Sequence, residues 1–370
     1  MMYEKGQRVS YHQDSSDRQG VSRRKFIQYG SLALGSGIVA ACSNGGGSST
    51  NNSPAASPVS SAGKLDKVTM STNWFAEAEH GGFYQAVAKD IYKDHGLDVT
   101  LKMGGPQVNG TQLLMGGAID FFMGYGADAI AAIESGIPKI TVAAMFQKDP
   151  QVLIAHPNVG VKDLADLKGK PILMSAQAYT TYWPYLKSKF GFTDDQKRTY
   201  NFNPGPFLAD QNVAQQGYVS SEPNIIKKVG KIDPVVFLLA DSGYAPYATT
   251  IEAKKELVDK NPDLVQRFVD ASIKGWYSYL KDPAPGDALI KKDNPEMTDD
   301  QLAYARSTFD KYQIVNGGDA GTKGIGAMTD ARWETFFGSM VTAGVFKPGT
   351  DYKQAYTLKF VNKGTQAYRV

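Results

Sequence analysis

The sequence predicts a two-lobed α/β protein carried behind a removable N-terminal leader, and three observations lead there. From Lys67 the chain alternates short apolar strands with amphipathic helices. Near Val161 that alternation starts afresh, which marks a second lobe inserted into the first. Ahead of both, residues 22–42 read Ser22-Arg23-Arg24-Lys25-Phe26, an apolar run, then Val39-Ala40-Ala41-Cys42. Folded material is expected from about Leu65 to about Phe360, long enough for an ample core without cross-links.

Paired arginines, a moderately apolar core and small terminal residues make an export leader. The apolar run Ile27–Ala41 is interrupted by Gln28, Gly30, Gly35 and Gly37. It is shorter than the roughly 20 apolar residues a spanning helix needs. A leader is therefore favoured over a membrane anchor or a buried helix with a chance cysteine. The small residues run directly into Cys42, the single cysteine of the chain. This segment resembles a twin-arginine leader fused to a lipobox, which implies that Cys42 is lipidated and becomes the mature N-terminus. Residues 43–63 are rich in Ser, Gly, Asn, Pro and Ala. They offer too little apolar surface to offset ordering entropy and read as a flexible tether.

The whole chain has a formal charge of +3, but positions 1–41 hold six Lys/Arg against three Asp/Glu, leaving 34 of each beyond them. A neutral mature chain with no basic run argues against nucleic-acid binding. With its cysteine in the leader, the folded part is expected to lack disulfides and thiolate metal sites.

The elements follow in order. Lys67–Thr72 alternates with period two and reads as a strand, and a loop over 73–80 leads into a helix over 82–93. Gly96 ends that unit before a strand over 97–101. Then come a short helix over 108–115, a buried strand over 119–124, a helix over 128–134, and strands over 140–145 and 151–155. In the second lobe a short helix over 161–167 precedes a strand over 172–174, a helix over 179–190 and a strand over 200–202. A helical turn is expected over 212–217, then Tyr218-Val219-Ser220, and a strand over 234–239. After Tyr247 a long helical region is expected, including 254–258, 264–280, 299–311 and 330–343. The expected division is therefore leader 1–41, tether 42–64, first lobe 65–155 and 242–370, and second lobe 156–241. The two hinge crossings fall near His156 and Asp241, and ligands of such folds bind between lobes beyond the carboxyl ends of the strands.

No G-x-S-x-G elbow, H-E-x-x-H or G-x-x-x-x-G-K motif occurs. The histidines are too scattered to form a metal site by local spacing. Chemistry concentrates instead in loops at strand ends. The first, Asn73 to Tyr84, offers the flat face of Trp74, the acceptor Glu79, the switchable His80 and two glycines before Tyr84. Each has a plain alternative: Trp74 as a core plug, Glu79 and His80 as helix-start partners. The second is Gly124-Tyr125-Gly126-Ala127-Asp128, where Asp128 could equally be an N-cap. The third, Ser175 to Trp183, places Gln177 and Tyr179 at a helix start able to face an anionic or carbonyl group. The fourth joins Ser221-Glu222-Pro223 with Asp241 to Tyr247, including Tyr244, where the chain re-enters the hinge.

Asn73-Trp74 followed by Glu79-His80-Gly81-Gly82-Phe83-Tyr84 resembles the opening of solute-binding proteins of the nitrate/sulfonate/thiamine-precursor group of ABC importers. Gly96-Leu97-Asp98-Val99, Gly105-Pro106, Asp163-Leu164 with Lys168-Gly169-Lys170, and Ser221-Glu222-Pro223 are similar too. The resemblance spans roughly Lys67 to Val345 and is strongest to the thiamine-pyrimidine-precursor branch. It implies a two-lobed type II periplasmic-binding fold, with Trp74 stacking on a pyrimidine and acidic side chains taking its amino group. The same branch includes an enzyme that builds the thiamine pyrimidine with its own histidine and a cysteine-rich motif. This chain has His80 but no cysteine beyond Cys42, which counts against that activity.

The expectation is a non-enzymatic, lipid-anchored extracytoplasmic receptor that captures a small aromatic heterocycle by hinge closure. Its ligand-binding set would be Trp74, Glu79, His80, Tyr84, Tyr125, Asp128, Gln177, Tyr179, Glu222 and Tyr244, with neither metal nor cofactor. Its partners would be a small-molecule ligand, an ABC permease and the membrane through the lipid; the chain would be monomeric and would bind no nucleic acid. The alternatives are a receptor for nitrate, a sulfonate or a flavin, or an exported enzyme acting on a pyrimidine.

Overall fold

The computed structural model describes residues 64–368. The leader, Cys42 and nearly all of the tether lie outside the described residues. Ten strands follow one another as β1 (Asp66–Ser71), β2 (Leu97–Lys102), β3 (Phe121–Gly124), β4 (Lys139–Phe146), β5 (Gln151–Ala155), β6 (Ile172–Met174), β7 (Lys197–Thr199), β8 (Ala214–Tyr218), β9 (Val235–Leu238) and β10 (Ala248–Lys254). They form two five-stranded sheets, ordered β2-β1-β3-β10-β4 and β7-β6-β8-β5-β9. This is the two-lobed α/β architecture expected.

The two sheets are built alike. In the first, β1 pairs in parallel with β2 and β3, whereas β10 runs antiparallel to β3 and β4. In the second, β6 pairs in parallel with β7 and β8, and β5 runs antiparallel to β8 and β9. The antiparallel strand in each sheet is the one that enters from the other lobe. Strand β5 was expected in the first lobe, but its ladder lies wholly in the second. The first crossing is therefore at 147–150, ahead of β5, and not at His156. His156 is buried after β5, where its Nε2 lies 2.7 Å from the Phe207 carbonyl and its ring stacks on Phe207 at 4.1 Å. The return crossing spans 239–247, and an ion pair of 2.6 Å between Lys148 and Asp241 ties the two crossings together.

The first lobe's core forms where the helix Pro262–Lys281 crosses the helix Gly81–Ala88. Proline in its first turn, Asp263 there and Lys281 at its end suit the helix dipole. Val265, Phe268, Val269, Ile273, Trp276 and Tyr279 recur at helical spacing and are buried. Gly81 and Gly82 let this helix approach. A Cβ on Gly81 would sit 2.1 Å from the Tyr279 ring, and one on Gly82 would sit 2.2 Å from Trp276. The expected helix over 82–93 is broken: Asp90 takes φ 55°, and a separate turn, Ile91–Asp94, follows.

Two strands were misread for one physical reason. Strand β8 (AQQGY) was expected as a helical turn, and β10 (ATTIEAK) as the start of the helical region. Both are inner strands, yet neither carries the apolar run that usually marks one. In β10 the buried Glu252 is answered by Lys139 of β4, whose ammonium lies 2.7 Å from it, 2.6 Å from Asp128 and 3.1 Å from Thr111. Burial by itself would lower the Lys139 pKa, but the adjacent charges of Asp128 and Glu252 prevail and raise it. The β7 strand also lies at 197–199 and not at 200–202, because Tyr200 turns into the interlobe cleft.

Removing one member of a fully buried charge group leaves the others uncompensated. Lys139→Ala is expected to cost about 3–5 kcal/mol of unfolding free energy in urea titration. Lys139→Met combined with Glu252→Leu should recover part of that loss, since no ion pair is then needed between β4 and β10 and the Asp128 side chain that loses its ammonium is 15 % exposed.

Candidate functional site

The cleft between the lobes is built from the ends of β1, β3, β6 and β8. From the first lobe come Asn73, Trp74, Glu77 and Tyr125, and from the second Ser175, Gln177, Tyr182, Gln216, Tyr218 and Glu222, with Gln151 just past the crossing. The lobes are drawn together and leave ≈ 30 Å³ of free space for water-sized molecules. Ligand pockets usually offer about 300–1,000 Å³, so the cleft as it stands is too small to hold a small molecule.

Trp74 is 8 % exposed and stacks on Tyr200 of the facing lobe, with ring centroids 6.1 Å apart and planes at 17°. Phe75 and Phe202 meet it edge-on at 5.8 and 6.3 Å. The flat face expected of Trp74 is thus turned into the cleft. Below it the loop 73–80 is fixed by His80, which is fully buried. The Glu77 N–H lies 3.4 Å from His80 Nδ1, and His80 Nε2 lies 3.4 Å from Asn73 Oδ1. Asn73 then donates to Tyr125 Oη at 3.0 Å and to Gln177 Oε1 of the other lobe at 3.3 Å. Burial pushes the His80 pKa down to about 3, so it is a neutral hydrogen-bonding post for Asn73.

Three carboxyl groups converge where the lobes meet. Glu79 accepts from Ser220 Oγ, and Glu77 accepts from Ser221 Oγ at 3.3 Å, both across the cleft. Glu222 accepts from the Tyr218 backbone N–H at 2.8 Å and from Tyr200 Oη at 3.2 Å. Gly217 makes room for it, since a Cβ there would lie 2.7 Å from Glu222 Cβ. Burial pushes Glu79 and Glu222 up to about 7. It raises Glu77 well above its ordinary range, with the charges of Glu79 and Glu222 adding to the effect. No Lys, Arg or His lines the cavity. Among the described residues no group of His, Cys, Asp and Glu is arranged to hold a metal ion.

Of the residues singled out in the sequence, Trp74, Tyr125, Gln177 and Glu222 line the cavity, and Glu79 joins the lobes beside it. Tyr125 and Tyr218 meet hydroxyl to hydroxyl across the cleft. Others lie elsewhere. Tyr84 faces away into the first lobe and donates to Asp293 at 2.9 Å. Asp128 is committed to Lys139 and borders a neighbouring chamber. Tyr179 is 37 % exposed under the Lys197 ammonium, 4.4 Å from its ring centre. Tyr244 is buried at the hinge among Tyr182, Tyr185 and Phe336. The two glycines of that loop admit the rings of Tyr279 and Trp276.

The residues that went unassigned are Asn73, Glu77, Gln151, Ser175, Tyr182, Tyr200, Gln216, Tyr218, Ser220 and Ser221. Asn73 and Glu77 stand in the aromatic-acid loop and could have been found there. Ser175 and Tyr182 lie in the third loop and Ser221 in the fourth, and could have been found there too. Gln216, Tyr218 and Ser220 sit on β8 and just after it, where a strand without an apolar face gave no signal, while Gln151 opens β5 and Tyr200 follows β7.

Two like lobes, each closed by a strand from the other, with a polar and aromatic cleft between them, define the periplasmic-binding-protein fold. A Candida albicans protein whose structure is described as having that generic fold superposes with a TM-score of 0.53 at 13 % identity, over 80 % of this chain and 98 % of its own. The alkanesulfonate-binding protein SsuA of Xanthomonas axonopodis superposes with a TM-score of 0.56 at 11 % identity, over 80 % and 99 %. The chain belongs to the NMT1/THI5-like family, whose profile matches residues 77–285. Among curated relatives it is similar to the riboflavin-binding protein RibY of Chloroflexus aurantiacus, 23 % identical over 89 % of this chain and 95 % of that one. It is also similar to a 4-amino-5-hydroxymethyl-2-methylpyrimidine phosphate synthase of Schizosaccharomyces pombe, 24 % identical over 59 % and 67 %. A formylaminopyrimidine-binding protein of Halalkalibacterium halodurans is 22 % identical over 59 % and 68 %.

A carboxyl group with a raised pKa holds its proton more tightly when buried. Its contribution to stability is full below the ordinary value of 4.5 and is lost as pH rises toward about 7. Glu79→Gln should therefore flatten the fall in unfolding free energy of the ligand-free protein between pH 4.5 and 7. Denaturant titrations at several pH values check this, and a slope equal to that of the parent protein would remove Glu79 from the effect.

Proposed function

We propose that the protein is an extracytoplasmic solute-binding protein of an ABC importer that captures a small, uncharged or basic aromatic heterocycle of the pyrimidine type. The observation that carries this reading is the stacked pair Trp74 and Tyr200 next to a cavity that Glu77 and Glu222 line, with Glu79 beside it, and that no cationic side chain lines. When the lobes part, an aromatic ring can take the place of the Trp74–Tyr200 contact and stack on the Trp74 face. Its amino or ring N–H groups would replace the serine hydroxyls and carboxyl protons that now satisfy Glu77, Glu79 and Glu222. A sulfonate or nitrate would meet uncompensated acids there, which speaks against that alternative. The names of RibY and of the formylaminopyrimidine-binding protein support a heterocycle.

Closure is the mechanism of capture. A ligand that bonds both lobes binds the closed form better than the open one and shifts the population toward it. Asn73 and Gln177 would orient the ring edge, and His80 would act by holding Asn73. The competing reading, a pyrimidine-forming enzyme like the yeast relative, requires His80 to react; here it is buried, neutral and hydrogen-bonded within its own loop. The sequence of residues 22–42 supports export and lipidation at Cys42, and so a receptor tethered beside its permease.

Denaturing mass spectrometry of the purified protein, with thermal-shift titrations of pyrimidines, flavins and sulfonates, tests the ligand class; a receptor returns its ligand chemically unchanged. Trp74→Ala should weaken heterocycle binding about tenfold, a loss of roughly 1 kcal/mol or more of stacking. Unchanged affinity by calorimetry would place the ligand elsewhere. Cys42→Ser should move the mature protein from the membrane to the soluble fraction.

A further inference from the structure

Beside the cleft lies a second, much larger chamber. Its free space for water-sized molecules is ≈ 620 Å³, within the range of small-molecule pockets, whereas the cleft retains ≈ 30 Å³. It runs between the helices Gly110–Met115 and Gly126–Glu134, floored by Phe122, with Val108, Met115 and Ile137 on its walls and Thr180 of the second lobe at its mouth. Gln177 stands in the walls of both spaces. A single 3.3 Å hydrogen bond from Asn73 holds its side-chain oxygen in place. Val108 is 40 % exposed, one of few large apolar side chains so open to solvent.

We infer that the two spaces form one bipartite site, in which the outer chamber receives an uncharged, largely apolar extension of the ligand whose ring edge is read in the inner cleft. Three observations fix the chemistry. The chamber's lining is mostly apolar. Asp128 is its single ionisable residue, and the Lys139 ammonium already neutralises it at 2.6 Å. Gln177 lines both spaces, and its side-chain oxygen, like Thr180 to Asp128 and Ala176 N–H to Pro106, is tied across the cleft, so parting of the lobes breaks these ties and joins the spaces. The ligand class is thereby narrowed from a bare ring to a ring bearing a substituent or fused rings without charge. A phosphorylated extension would meet no cation there.

This inference rests on the heterocycle reading above, and the test separates the two. Calorimetry is run with 4-aminopyrimidine as the bare ring and riboflavin as the extended probe. The variants are Ala131→Phe and Ser135→Trp, one helical turn apart on the chamber wall, with Trp74→Ala as the cleft control. Both side chains line the chamber, and Ser135 is exposed whereas Ala131 also packs against the core, so Ser135→Trp fills the chamber from its solvent side and thermal unfolding of Ala131→Phe checks that its fold is kept. The expected result is riboflavin binding weakened at least tenfold by each wall variant, 4-aminopyrimidine binding unchanged within twofold, and both weakened by Trp74→Ala. Equal losses for both probes, or riboflavin binding untouched by both wall variants, would overturn the bipartite site. Binding of 4-aminopyrimidine alone by the parent protein would overturn it too, while leaving the heterocycle reading standing. Binding of neither probe would overturn both.

Discussion

The constraint on which the rest depends is the exchange of strands between lobes. Strand β5 completes the second sheet with a segment arriving from the first, and β10 completes the first with a segment returning from the second. Each lies at an inner position and pairs with a neighbour on both sides, so neither can leave without breaking two ladders. The crossings that feed them are short and tied by Lys148 and Asp241. Relative motion of the lobes is thereby confined to rotation about two strands of chain, and the cleft at the strand ends is where that rotation opens or closes space.

The polar character of the cleft follows from what closure must bury. Glu77, Glu79 and Glu222 lose water when the lobes meet, and no cationic side chain lines the space to receive them. Serine hydroxyls from Ser220 and Ser221 and the phenol of Tyr200 satisfy part of their capacity, and protons the remainder. A ligand carrying N–H donors can do both tasks at once. Gln301 adds a further link, donating to the carbonyls of Ser220 and Ser221 at 3.4 and 3.2 Å from the start of the helix Asp299–Lys311. Carboxyl burial therefore couples lobe position to proton occupancy.

Much of the first lobe was legible because its signals are local. The alternation in β1, the apolar run of β4 and the helical stripe from Val265 to Tyr279 each state their own structure. The loop from Asn73 to His80 was legible as a site because a tryptophan and acids at a strand end serve no ordinary connection. Strands β8 and β10 were not legible. Their buried polar residues are satisfied by partners distant along the chain: Gln215 by Tyr200, 15 residues away, and Glu252 by Lys139, 113 residues away. A strand whose inner face is polar looks like a turn or a helix start until its partners are placed.

The sequence by itself determined the leader signature at residues 22–42, the α/β class, the family and the aromatic-acid character of the loop that carries Trp74. These depend on residue type and spacing along the chain. Only the tertiary structure decided that β5 belongs to the second lobe, that Tyr84, Tyr179 and Tyr244 stand outside the cavity, and that His80 is a neutral post. It also decided that three carboxyl groups from two lobes meet, and that a second chamber adjoins them. Each of these is a property of surfaces brought together by strand exchange, and spacing along the chain carries no record of it.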